Sequence, residues 1–344
     1  MGPLQGLRIA ELYSPAAWVG VRLAGALAGR MLADFGALVS VVQPPPGDVL
    51  RRLPPFTAAG GSAAFAFLSA GKQVIEPGAE WEGQDGLIID AGGFDALRGP
   101  QRTAATAVLS MAPDTMHGSE FTALALSGVL DLVGDPEREP LRLGGHQAAY
   151  SCGLSAFTGL LAALCVRDAA PRTVRVNLLD TLLWINWKSV IGAQGGGGAS
   201  RQGPAAEWQV VGCADGWLAL VYQEADWGAL TALVGDPALQ EARFATAAAR
   251  RANGREVAER LAAGLGHYTR EEIRALALAQ RLPLGPVWSL TELLEDRHYL
   301  ERGVFFPARL PDGTPGMLAS LPVVWNGARL APGPIPADGE VADA

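Results

Sequence analysis

The side chains able to attack or to move protons are few: three cysteines, Cys152, Cys165 and Cys213, and four histidines, His117, His146, His267 and His298. Cys152 falls near the start of an apolar helical run, where a thiolate is stabilised and could act as a nucleophile. With no identifiable histidine partner, its other reading is a buried, inert thiol. The cysteines form no CxxC pair and the histidines are widely separated, which argues against a structural zinc site. Asp180, in the apolar run NLLDTLL, would need a hydrogen-bonding partner if buried. Gly195 to Gly198, followed by Gly203-Pro204, could cradle an anion on backbone N–H groups or serve as a flexible connection. Gly20, Gly25 and Gly29 are spaced four or five apart, so no GxGxxG fingerprint is present. GxxxxGK[ST], HExxH and GxSxG are absent as well.

The elements that must position these residues follow an α/β pattern. Residues 7–12 form a short apolar run, read as a buried strand. Leu23, Leu27, Met31 and Leu32 then recur at helical spacing up to Gly36. A second strand, LVSVV at 38–42, is stopped by Pro44-Pro45-Pro46, which completes a βαβ unit. GLIID at 86–90 and AVLSM at 107–111 extend the same sheet, and residues 150–166 and 176–185 read as helices. Beyond the glycines, WLALVY at 217–222 reads as a strand and 226–280 as helices. Pro311-Asp312-Gly313 favours a hairpin, which places a smaller α+β domain near 207–315.

Composition narrows the function classes. The 344 residues are 49% apolar and 18% charged, with a net charge of −8 and only two lysines, Lys72 and Lys188. A generic nucleic-acid or anionic-membrane binder needs dense basic surface, which this chain lacks. The start, MGPLQGLRIAEL, has no charged segment followed by an apolar one, and the uncharged stretch 143–166 is too polar for a convincing membrane span. A soluble, cytoplasmic protein is expected.

PLQGLRIAEL and GRMLADFGALVSVVQPPPGD resemble the amino-terminal motif of the class III CoA-transferases. RRLPPF, FLSAGKQV, ALALSGV, GLSAFTGLLAAL, VRVNLLDTLL, DGWLAL, RFATAAARRANGREV and LPLGPVWSLTELLED continue the likeness over nearly the whole chain. The resemblance implies a Rossmann-like large domain over 1–190, completed by 318–344, with a Gly-rich linker at 191–206 and a small α+β domain at 207–317. It also implies an interlocked dimer, formed with a second copy or with a homologous CoA-transferase subunit. No tightly bound cofactor is implied; coenzyme A or an acyl-CoA is the ligand. In that family a catalytic aspartate attacks the acyl-CoA thioester to give a mixed anhydride, and the returning CoA thiolate forms an aspartyl thioester that passes CoA to an acceptor acid.

The aspartate position corresponds here to Ala149, and the histidine of the related racemases corresponds to Ser119. Val41 stands where a phosphate-binding cation precedes the motif continued by Val42-Gln43-Pro44-Pro45, and Ala91-Gly92-Gly93-Phe94 replaces an arginine-containing element. Gln43, Arg51, Arg52 and Lys72 remain as the expected CoA contacts. These departures point to a diverged or non-catalytic subunit. The alternatives are an active acyl-CoA enzyme with Glu120 as base or nucleophile, assisted by Cys152, His146 or Tyr150, or a non-enzymatic binding dimer.

Overall fold

The computed structural model describes residues 2–43, 47–77, 83–97, 103–113, 118–166, 170–196, 201 and 208–337. Pro44-Pro45-Pro46, His117, Gly197, Gly198, Gly203-Pro204, most of the 191–206 linker and the last seven residues of the 318–344 segment lie outside them. The contacts divide the chain into two compact units, 1–133 with 141–199 and 297–344, and 134–140 with 200–296.

The first unit opens with strand β1 (Arg8–Leu12), helix α1 (Val19–Asp34) and strand β2 (Leu38–Val42). Next come α2 (Ala63–Ser69), β3 (Lys72–Ile75), β4 (Gly86–Asp90), α3 (Ala91–Ala96), β5 (Ala105–Ser110), α4 (Glu120–Leu126) and α5 (Gln147–Leu164). β6 (Arg172–Asn177), α6 (Leu178–Ile185) and α7 (Trp187–Gln194) follow. The six strands form one parallel sheet in the order β3-β2-β1-β4-β5-β6. The order reverses between β1 and β4, and in open sheets of this kind ligands bind outside the carboxyl ends of the strands at such a point.

Both faces of the sheet are covered, which explains why β4 is buried along its whole length. Ile9, Val39, Ile88, Ala107 and Leu109 face one core, shared with Ala24, Ala28 and Leu32 of α1 and Ala148, Cys152, Ala156 and Leu160 of α5. Ala10, Leu87, Ile89 and Val108 face the other, closed by Phe94 of α3. α5 is long and apolar enough by composition to cross a membrane, and here it serves as the core helix packed on α1. Gly153 permits that close approach, because a Cβ there would lie 2.6 Å from Ala24 O.

Several boundaries differ from the sequence pattern. Residues 176–185 read as one helix, yet Val176 and Asn177 close β6 and the helix starts at Leu178, where the Asn177 side chain accepts from Asp180 N. β6 and β3 escape detection because both carry cations, Arg172 and Arg175 in one and Lys72 in the other.

The second unit contains the antiparallel sheet of β7 (Gln209–Cys213), β8 (Gly216–Leu220) and β9 (Leu284–Pro286). Its helices are α8 (Trp227–Val234), α9 (Ala247–Ala252), α10 (Gly254–Leu265), α11 (Arg270–Gln280) and α12 (Leu290–Glu295). Leu218, Leu220, Leu230, Phe244, Leu261 and Ile273 form its core. α13 (Arg297–Glu301) and the hairpin β10 (Phe305–Arg309) with β11 (Pro315–Ala319) return to the first unit, whereas the sequence reading places that hairpin in the smaller domain.

Candidate active site

Among the described residues, three cavities lie at the carboxyl ends of the parallel strands. One of about 190 Å³ lies beyond β1 and β2 and is lined by Tyr13, Arg22, Gln43, Asp48 and Arg52. A second of about 260 Å³, beyond β4 and β5, is lined by Ser14, Asp90, Asp95 and Ser110. The third, of about 340 Å³, collects Trp18, Phe121, Leu178, Glu120, Arg142 and His146.

The third cavity holds a carboxylate–imidazole pair. Ser119 caps α4: its Oγ accepts from Thr122 N at 3.2 Å. That cap fixes Glu120 as the first helical residue. Glu120 Oε2 lies 2.7 Å from His146 Nδ1, and Ala149 N donates to Glu120 Oε1 at 3.1 Å. An ionised carboxylate only accepts, so His146 Nδ1 would carry the hydrogen and Nε2 would remain unengaged by Glu120. α5 has no side-chain cap of its own; Glu120 supplies that acceptor, at a helix end where negative charge is favoured. Thus a carboxylate from α4 sits against the backbone of Ala149, the residue lacking one. Tyr150 stands beside the pair, its ring 6.3 Å from that of His146. Burial, and then the Glu120 charge, push its phenol pKa up.

Cys152 does not join this site. It is fully buried, and burial pushes its thiol up to about 12, with a hydrogen bond to Thr181 opposing the shift. The expectation that it assists Glu120 is therefore corrected: one helical turn separates Cys152 from Ala149, but its side chain lies in the α1–α5 core. At pH 8 a thiol reagent should modify exposed Cys165 while Cys152 reacts only after unfolding. Its thiolate fraction is lower by on the order of 10³ than that of a thiol at the ordinary value of 9.0. Mass spectrometry of native and urea-treated protein checks this, and fast native labelling of Cys152 would contradict it.

Asp180 is exposed and pairs with Asn177 Nδ2 at 2.7 Å, so it needs no buried partner.

The expected CoA contacts separate into two groups. Gln43 and Arg52 share the first cavity. Arg51 instead lies over the Phe65 ring, 3.7 Å from its centroid. Val41 faces the core. Lys72 also departs from the expectation, because it is buried and donates to Glu11 Oε1 and, at 2.7 Å, to Ala26 O. Glu11 further accepts from Arg22 Nη1 at 3.2 Å and Tyr13 OH at 3.3 Å, and Asp48 holds the other edge of Arg22. Tyr13, Arg22 and Asp48 of this buried network line the first cavity. Sequence reasoning missed it because its members are scattered over β1, α1, β3 and the loop after β2.

Burial lowers Lys72 to about 8, against an ordinary value of 10.5, although Glu11 pulls the other way. As pH rises through 8 the folded chain releases that proton, whereas an unfolded lysine keeps it. The unfolded state then binds more protons, so this group makes stability rise with pH from about 8 toward 10. The slope is at most about 1.4 kcal/mol per pH unit. Above 10, Tyr13, raised mainly by burial and next by Glu11, works in the opposite sense. Urea titrations at several pH values should show the rise in wild type and its loss in Lys72→Met.

Comparison with known proteins adds four findings. The profile of CoA-transferase family III matches residues 4–76 and 112–340, leaving out the stretch that carries β4, α3 and β5. The chain is 27% identical to a succinate–glutarate CoA-transferase of Agrobacterium fabrum, over 91% of this chain and 86% of that protein. It is 26% identical to a succinyl-CoA–D-citramalate CoA-transferase of Chloroflexus aurantiacus, over 90% and 84% respectively. Among solved structures, a CAIB/BAIF family protein from Brucella suis shares the fold with a TM-score of 0.78 at 24% identity, covering 96% of this chain and 94% of that one.

Proposed function

The chain belongs to CoA-transferase family III, and from that premise we propose that it transfers CoA between short dicarboxylic acids with Glu120 as the reacting carboxylate. The carrying observation is the placement of Glu120 against Ala149 N and His146 Nδ1 inside the third cavity. The relatives' names pair CoA with succinate, glutarate and citramalate, which supports a dicarboxylic acyl group here.

Each carboxylate oxygen has two lone pairs, and each Glu120 oxygen uses one in the contacts described. A free lone pair of Glu120 can attack the thioester carbonyl. The carbon–sulfur bond breaks, CoA leaves as thiolate, and an acyl–glutamyl anhydride remains. The thiolate then attacks the glutamyl carbonyl, releasing the first acid and leaving a glutamyl-CoA thioester for the acceptor carboxylate. His146 and the Ala149 amide position the carboxylate throughout. Gln43 and Arg52, in the first cavity, are the side chains available to CoA. Pairing with a second copy or a homologous subunit belongs to the same proposal, supported by the exposed Trp184 and Trp187 on α6 and α7.

A second reading, a non-catalytic subunit beside an active homologue, is favoured by Ala149 itself and by the burial of Val41 and Lys72. Incubation with succinyl-CoA followed by hydroxylamine separates the two. The catalytic reading expects a hydroxamate on Glu120 by peptide mass spectrometry. Binding of CoA with no modified carboxylate would overturn it in favour of the non-catalytic subunit.

A further inference from the structure

The walls of the third cavity are mostly apolar, formed by Trp18, Val21, Met111, Phe121 and Leu178. A hydrocarbon acyl group would be satisfied by those walls alone. Three side chains there can carry charge: Glu120, His146 and Arg142. The first two hydrogen-bond each other, and Glu120 is also tied to Ala149. Arg142 is different. It lies in the segment leading into α5, is exposed, and among the described residues makes one long hydrogen bond, from Nη2 to Gly145 O at 3.4 Å. A guanidinium has five N–H donors in a planar fork that matches a carboxylate in a bidentate way. Within this cavity it is the one guanidinium among the lining residues.

Resting on the function proposed above, we propose that Arg142 is a specificity-determining residue that grips the distal carboxylate of the acyl group. The cavity would thereby select a dicarboxylic acyl thioester over a monocarboxylic one of the same length. Charge-assisted hydrogen bonds are about twice as strong as neutral ones, and a bidentate pair adds orientation. The expected discrimination is roughly 10- to 100-fold in affinity.

Calorimetry on the full chain tests this with glutaryl-CoA, pentanoyl-CoA and CoA alone. Wild type should bind glutaryl-CoA about 10- to 100-fold more tightly than pentanoyl-CoA. Arg142→Gln should erase that difference while leaving pentanoyl-CoA and CoA affinity unchanged, and Arg142→Lys should keep part of it. Arg142 is exposed, so neither variant should disturb folding, which a thermal melt verifies. Binding of CoA with equal affinity for the two thioesters, or a preference that survives Arg142→Gln, overturns the role of Arg142 and leaves the proposed function standing. Failure of wild type to bind any of the three overturns both.

Discussion

Glu120→Gln is expected to abolish acyl capture and to lower CoA transfer by roughly 10³- to 10⁶-fold, the range over which enzymes respond to loss of an attacking group. The exchange isolates charge from shape. A glutamine carbonyl still accepts from Ala149 N, so the N-terminus of α5 keeps its acceptor, and the glutamine NH2 donates to His146 Nδ1 once the imidazole takes the other tautomer. The melting temperature should therefore move little. Glu120→Ala removes the acceptor as well and should cost about 0.5–2 kcal/mol of stability, as lost N-caps do. Glu120→Asp retains a carboxylate on a shorter stem; it should lose the contact at 2.7 Å to His146 or the one at 3.1 Å to Ala149, with partial activity. The measurement is the rate of CoA transfer from succinyl-CoA to glutarate, alongside circular dichroism melts. Wild-type rates in Glu120→Gln would show that this carboxylate only caps α5, and would remove it from the reaction.

How much of this was legible before the fold was known depends on how local each cause is. β2 and β4 occupy 38–42 and 86–90, the ranges the sequence pattern assigns, because strands buried on both faces read as uninterrupted apolar runs. β6 is half exposed, with Arg172 and Arg175 in it, so the same rule passes over it. The turn at Asp312-Gly313 was legible because its chemistry is local: Asp312 Oδ1 accepts from Thr314 N and Gly313 takes φ 83°. The site is a different case. Glu120 and His146 are 26 residues apart and start different elements, so no spacing rule joins them. One signal was available: α5 begins after His146 without Ser, Thr, Asp or Asn at its cap, which calls for an acceptor from elsewhere. Glu120 entered the reading only through the family resemblance, and the fold supplies its partners. Cys152 illustrates the reverse error, since proximity to a helix start suggested reactivity that burial removes.

The buried network under the first cavity should dominate the stability of the first unit. Glu11→Gln leaves Lys72 and Arg22 in a dry site with Asp48 as their remaining anion. Removing one partner of a buried pair costs about 3–5 kcal/mol, because the other charge stays behind unpaired. For a unit of this size that corresponds to a fall in melting temperature on the order of 10 °C. Gly29→Ala should act on the same atoms by a steric route. A Cβ on Gly29 would overlap Glu11 Oε1 and lie 3.0 Å from Lys72 Nζ. Glu11 is fully buried and held by Arg22, Lys72 and Tyr13, so it cannot yield without breaking those bonds. Gly29→Ala and Glu11→Ala must therefore be non-additive. In a Glu11→Ala background the clash disappears, and Gly29→Ala should cost less there by about 0.5–3 kcal/mol, the usual range for residues in contact. Denaturant titrations of the two single variants and the double variant close the cycle. Strict additivity would mean that Gly29 is constrained by something other than Glu11; a clear coupling would establish that position 29 of α1 must be glycine to admit the buried Glu11 carboxylate.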